Sequence, residues 1–134
     1  MNSMSALILA SDDAQVIDVF EQVLEKRAFR LLVEKNKLQG IWDTLDDNVA
    51  CLVMDLDLPD DENMAFLKIV KKIKPRLPVV ILFSEESSTM IRSLADISVF
   101  YRTFKPLRLD EIEQLMLGIE KLIARDKSNR DVAF

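Results

Sequence analysis

Short, continuously apolar runs alternate along the chain with stretches that are apolar on one side only. Residues 6–10, 31–33, 49–54, 79–83 and 97–104 are the continuous kind, the pattern of strands covered on both faces. Residues 14–27 place Val16, Val19, Phe20, Val23 and Leu24 at the spacing of one helix face. Residues 37–46 predict a weaker second helix, with Leu38, Ile41, Trp42 and Leu45 on one side. Residues 62–74 predict a third, with Phe66, Leu67, Val70 and Ile73 inward, ended by Pro75. Residues 86–95 predict a fourth and residues 109–124 a fifth, the last with Ile112, Leu115, Met116, Ile119, Leu122 and Ile123.

Capping residues stand where these helices need them. Ser11, Asp12 and Asp13 precede the first, and Ser84 or Ser87 opens the fourth. Asp60, Asp61 and Glu62 suit the positive end of the third helix dipole. Strict strand–helix alternation predicts an α/β fold. Five parallel strands are joined by right-handed crossovers, with helices on both faces of the sheet. A chain of 134 residues is expected to form one domain over 1–134, with its core in 5–124 and a polar tail or linker over 125–134.

Composition narrows the chemistry. The chain has no histidine, which removes imidazole acid–base work, Ser-His-Asp and Cys-His nucleophiles and histidine metal sites together. The net charge of −5 lacks the basic footprint of a nucleic-acid binder. The cluster Lys68, Lys71, Lys72, Lys74 and Arg76 has the spacing of a solvated helix face, so no direct nucleic-acid binding is expected. No apolar run reaches the roughly 20 residues of a membrane span. The start has no basic n-region, and the single Cys51 falls in a core strand. Those features predict no membrane contact and a cytoplasmic location.

Three strand ends carry polar side chains. Asp55 follows the third strand, Ser11-Asp12-Asp13 the first, and Lys105-Pro106 the fifth. In an open α/β sheet that carboxyl edge is where ligands and chemistry are found. A hard cation held by carboxylates, with a lysine opposite, is the equipment phosphoryl transfer requires.

With Asp12, Asp55-Leu56-Asp57-Leu58-Pro59 and Lys105-Pro106 at these places, the chain resembles the receiver domain of bacterial response regulators over residues 5–124. The resemblance implies a flavodoxin-like (βα)5 fold with strand order 2-1-3-4-5. It implies that Asp55 accepts a phosphoryl group from a histidine kinase or phosphotransfer protein in a two-component phosphorelay. It further implies that Asp12, Asp55 and the backbone carbonyl of Asp57 hold Mg2+, that Lys105 pairs with the phosphoryl oxygens, and that the Lys105–Pro106 peptide is cis. The output is by protein contact, to an output domain or a partner, rather than by an enzyme activity. The partner surface, and a weak homodimer, is expected on the fourth helix, fifth strand and fifth helix, with Met90, Arg92, Tyr101, Arg102 and Gln114 as candidates.

Several positions depart from that family's pattern. Ser11 stands where receivers carry a further acid, which implies weak Mg2+ binding. Asp13 is expected to cap the first helix and face outward. Phe83 holds the usual Thr/Ser position, so Ser84 supplies the switch hydroxyl only through a slip or bulge of the strand end. Arg102 holds the place of the switch aromatic, with Tyr101 one residue earlier. Ala28, Asn63 and Asp96 stand where glycine is frequent. Two alternatives accompany the main reading. One is a phosphorylation-independent pseudo-receiver, working as an interaction or dimerisation module. The remoter one is a phosphatase of the D-x-D kind built on Asp55-Leu56-Asp57.

Overall fold

The expected five strands form as β1 (Ser5–Ala10), β2 (Phe29–Glu34), β3 (Val49–Asp55), β4 (Val79–Phe83) and β5 (Tyr101–Phe104). They make one parallel sheet in the order 2-1-3-4-5. The computed structural model describes residues 4–58 and 64–132, with side chains as far as Asp126. Pro59, the acids Asp60, Asp61 and Glu62, and Asn63 therefore lie outside the described residues. The connections are α1 (Ala14–Leu24), α2 (Lys37–Asp43), α3 (Met64–Ile73), a 3-10 helix (Ser88–Leu94) and α4 (Leu109–Val132).

Each face of the sheet buries its own core. On one side, Leu7, Leu9, Val53 and Leu82 pack against Phe20 of α1 and Ile112, Met116 and Ile119 of α4. On the other, Ile8, Leu52, Met54 and Ile81 pack against Ile41, Leu67, Val70 and Leu94. Continuous apolar strands meet helices on both sides, as their sequences require. Gly40 lets α2 lie close to β1, because a Cβ there would stand 2.9 Å from the Cβ of Ala10.

Five expectations change. The fourth helix is 3-10, not α. Ser87, Ser88 and Ser93 each turn a hydroxyl onto the carbonyl three residues back, and such local bonds compete with the α ladder. β5 begins at Tyr101 instead of residue 97, since Ile97 and Val99 pack under the 3-10 helix. Only Phe100 precedes it in bonding β4, through its N–H to the Val79 carbonyl. The inner face of α2 is Lys37, Gly40 and Ile41, leaving Leu38 and Trp42 outside. Ile73 of α3, expected inward, is exposed. The segment from Asp126, expected to be a polar tail, continues α4 to Val132. No glycine or proline interrupts residues 119–132, and their alanine, arginine and lysine favour the helix.

Candidate functional site

The carboxyl ends of β1, β3, β4 and β5 converge on one cluster. Asp55, the last residue of β3, is buried. Lys105, just past β5, sets its ammonium 3.0 Å from both oxygens of Asp55. The same ammonium lies 2.7 Å from Oδ2 of Asp57 and 3.3 Å from Oδ2 of Asp13. The Lys105–Pro106 peptide is cis.

Ser11 is fully buried and donates its hydroxyl to Oδ2 of Asp55 at 2.7 Å. The Asp57 N–H donates to Oδ1 of Asp55 at 3.0 Å. Both oxygens of the candidate acceptor are thus held by protein donors.

Of the two acids after Ser11, the structure brings Asp13 and not Asp12 to Lys105. Asp12 is exposed and makes no side-chain bond among the described residues. Asp13, expected only as an outward cap, has two roles. One oxygen accepts from the N–H groups of Gln15 and Val16, and the other faces Lys105. Its backbone is still extended (φ −82°, ψ 116°). Alternation along an extended chain then puts Ser11 and Asp13 on one side and Asp12 on the other.

Ser84 reaches the cluster without any slip. β4 and β5 pair in regular register up to Phe83 opposite Phe104, and those two rings pack at 4.0 Å. Ser84 is the first residue beyond the strand, and its hydroxyl donates to Oδ1 of Asp57 at 2.8 Å. The Ser84 N–H in turn donates to the hydroxyl of buried Ser87 at 2.9 Å. Ser87, expected only as a helix opener, thus joins the site; its sole signal in the sequence is a serine three residues after another.

Electrostatics binds the cluster. Burial works against ionising Asp57, but the bonds from Lys105 and Ser84, with the Ser87 hydroxyl nearby, outweigh it and hold the carboxyl below the usual range. Burial likewise opposes the charge on Lys105, while hydrogen bonds to Asp57 and Asp55 and their charges push its pKa above that of an ordinary lysine. A carboxyl with a depressed pKa contributes stability that is present above its unfolded value, about 3.9, and is lost as pH falls through the folded value. Carbon-13 NMR of the Asp57 carboxyl is expected to show a midpoint below that value. Ser84→Ala should move it back upward.

The oxygen donors of Asp13, Asp55 and Asp57 are of the type a hard divalent cation takes. Three carboxylates against one ammonium also leave negative charge uncompensated, so the residues fit such an ion in chemistry. Among the described residues no three acidic side chains form a ready-made metal cluster, and Lys105 bonds to all three of these carboxylates.

At the edge of the sheet, Phe100, Tyr101, Phe104, Leu109 and Leu117 are all exposed, as are Arg92, Arg102 and Gln114. Met90 is half-buried. Glu111 holds Tyr101 and Thr103 by accepting from both hydroxyls at 2.7 and 2.9 Å. No helix among the described residues is long and apolar enough to cross a membrane.

Comparison with known proteins agrees with this geometry. The response regulator receiver domain family matches residues 7–117. The chain is similar to the transcriptional regulatory protein KdpE of Staphylococcus aureus, with 22% identity over 97% of this chain and 55% of that protein. It therefore spans about half the length of that relative. In fold it is similar to a receiver domain from Clostridium thermocellum (TM-score 0.69, 20% identity, 92% of this chain and 97% of that one). It is also similar to a CheY-like receiver from Methanospirillum hungatei (TM-score 0.73, 17% identity, 92% and 99%). Receiver domains are signalling modules of two-component systems, generally bind Mg2+ at their acidic pocket, and interact with histidine kinases and output domains. A five-stranded 2-1-3-4-5 sheet whose strand ends gather Asp55, Asp57 and Lys105, matched by that family over most of its length, makes this chain a member of the response regulator receiver domain family.

Proposed function

We propose that the chain is a phosphorylatable receiver, not an enzyme, that accepts a phosphoryl group on Asp55 from a histidine kinase or phosphotransfer protein. The observation that carries this reading is the Lys105 ammonium 3.0 Å from both oxygens of a buried strand-end carboxylate. In the transfer, an Asp55 oxygen forms the new O–P bond. The P–N bond of a donor phosphohistidine breaks, and its electron pair leaves on the imidazole. Lys105 would pair with the phosphoryl oxygens, and the Ser84 hydroxyl would donate to one of them. Asp55, the Asp57 carbonyl and an acid following β1 would hold Mg2+. Asp12 was the expected acid, and Asp13 is the one that faces Lys105. The bound cation would offset negative charge on the transferring group.

The exposed aromatic edge of β5 and α4 is the proposed contact face for a partner protein, an output domain or a weakly held second copy. A single 134-residue domain and a cytoplasmic location go with this reading.

One observation favours a second reading, the pseudo-receiver. Ser11, the Asp57 N–H and Lys105 together occupy both oxygens of Asp55, and an acceptor so held is a poorer nucleophile. Intact-mass measurement after incubation with acetyl phosphate and Mg2+ separates the two. The expected result is one phosphate adduct, absent in Asp55→Asn. No adduct in the wild type, and no beryllofluoride binding, would favour the pseudo-receiver.

A further inference from the structure

The seam between α2 and α3, on the sheet face away from α1 and α4, carries a row of apolar side chains that the core does not use. Leu38 and Trp42 lie one turn apart on α2 and are 41% and 55% exposed. Ile69 and Ile73 lie one turn apart on α3 and are 53% and 61% exposed. The Trp42 and Phe66 rings stack at 5.8 Å, joining the two rows into one strip. Both helices have separate inner rows, Ile41 on α2 and Leu67 and Val70 on α3, which are buried. The strip is therefore not the edge of an underfilled core. Single exposed apolar residues need no explanation, whereas a continuous strip across two helices marks an interaction surface.

Charge identifies the occupant. α2 and α3 both connect parallel strands, so they run in the same direction, and the Lys74 ammonium just past α3 donates to the carbonyls of Thr44 and Asp46 just past α2 at 2.6 Å each, which sets their ends at one level. α2 ends near the exposed acids Asp46 and Asp47, and α3 ends near the exposed Lys72 and Arg76. A two-fold axis along the seam lays α2 of each copy over α3 of the other. The acids of one copy then meet the bases of its partner on both sides of the axis, at the end of the seam where the helices finish, and the apolar strips meet along the rest of it. Such self-complementarity is what a two-fold interface requires.

We infer that the α2–α3 seam is a homodimer interface, distinct from the β5–α4 edge and leaving the Asp55 cluster accessible. Trp42 is the only tryptophan and lies within the strip, so its emission reports the interface directly. Over protein concentrations from about 1 μM to about 1 mM, sedimentation should show monomer passing to dimer, with the Trp42 emission moving to the blue in step. Ile69→Asp, at an exposed position that leaves the fold intact by circular dichroism, should weaken the association by about tenfold or more. Asp46→Lys or Lys72→Glu alone should weaken it, and the two together in one chain should restore it. Phe104→Ser, at the β5 edge, should leave it unchanged. A wild type that stays monomeric throughout overturns the inference. So does a dimer lost in Phe104→Ser and kept in Ile69→Asp, or one formed with no change in Trp42 emission.

Discussion

Replacing Lys105 with methionine is expected to lower the folding free energy by about 3 kcal/mol, at the low end of the cost of removing one partner from a buried ion pair. The ammonium touches Asp13, Asp55 and Asp57, and methionine fills similar volume without charge. What remains is an Asp55 carboxylate only 1% exposed, beside two others. The low end is appropriate because the Asp57 and Asp13 side chains are 24% and 36% exposed, so water screens part of the repulsion. For a chain of this size the loss corresponds to a melting temperature lower by roughly 10 °C. Urea unfolding at neutral pH measures it. Asp13→Asn supplies the contrast, with a change below about 1 kcal/mol, since asparagine is an equally good helix cap. A neutral Lys105→Met would mean that the three carboxylates relax apart or retain a proton between them.

Why the site was partly legible follows from what each residue answers to. The strand periods, and hence the parallel sheet, were written in runs such as residues 49–54 and 79–83, which only two-sided burial explains. Asp55 and Lys105 stood out because a charge ends an apolar run. Asp13 did not, because Asp12-Asp13 is one acidic pair in sequence, and only the extended backbone at Asp13 decides which carboxylate turns inward. Phe83, at the position where a hydroxyl is expected, ends β4 without a bulge, and the hydroxyl is supplied by Ser84, the first loop residue, rather than from the strand. The exposed apolar residues Phe100, Phe104 and Leu117 were missed for a related reason. A β5 read as starting at residue 97 looks like a buried strand, whereas the actual strand is a four-residue edge, exposed at three of its positions.

Putting an acid back at Ser11 is expected to make stability depend on divalent cations. Ser11 is fully buried with its hydroxyl 2.7 Å from Oδ2 of Asp55. Ser11→Asp replaces a donor to that carboxylate with a second carboxylate, and two such groups sharing a site cannot both ionise freely. The loss of the hydrogen bond and the added repulsion should cost about 2–3 kcal/mol without metal. A cation that binds only the folded state restores stability by mass action, about 2.7 kcal/mol at a concentration one hundred times its dissociation constant. Thermal unfolding with chelator and then with millimolar Mg2+ should therefore show a variant that melts below wild type in the first case and gains more than wild type in the second. Pairing Ser11→Asp with Asp12→Asn, and separately with Asp13→Asn, identifies the acid that shares the ion. The gain should vanish with the acid that does. If Mg2+ raises the variant no more than the wild type, position 11 is not where this site lacks a ligand, and the cluster around Lys105 is organised to hold its charge without one.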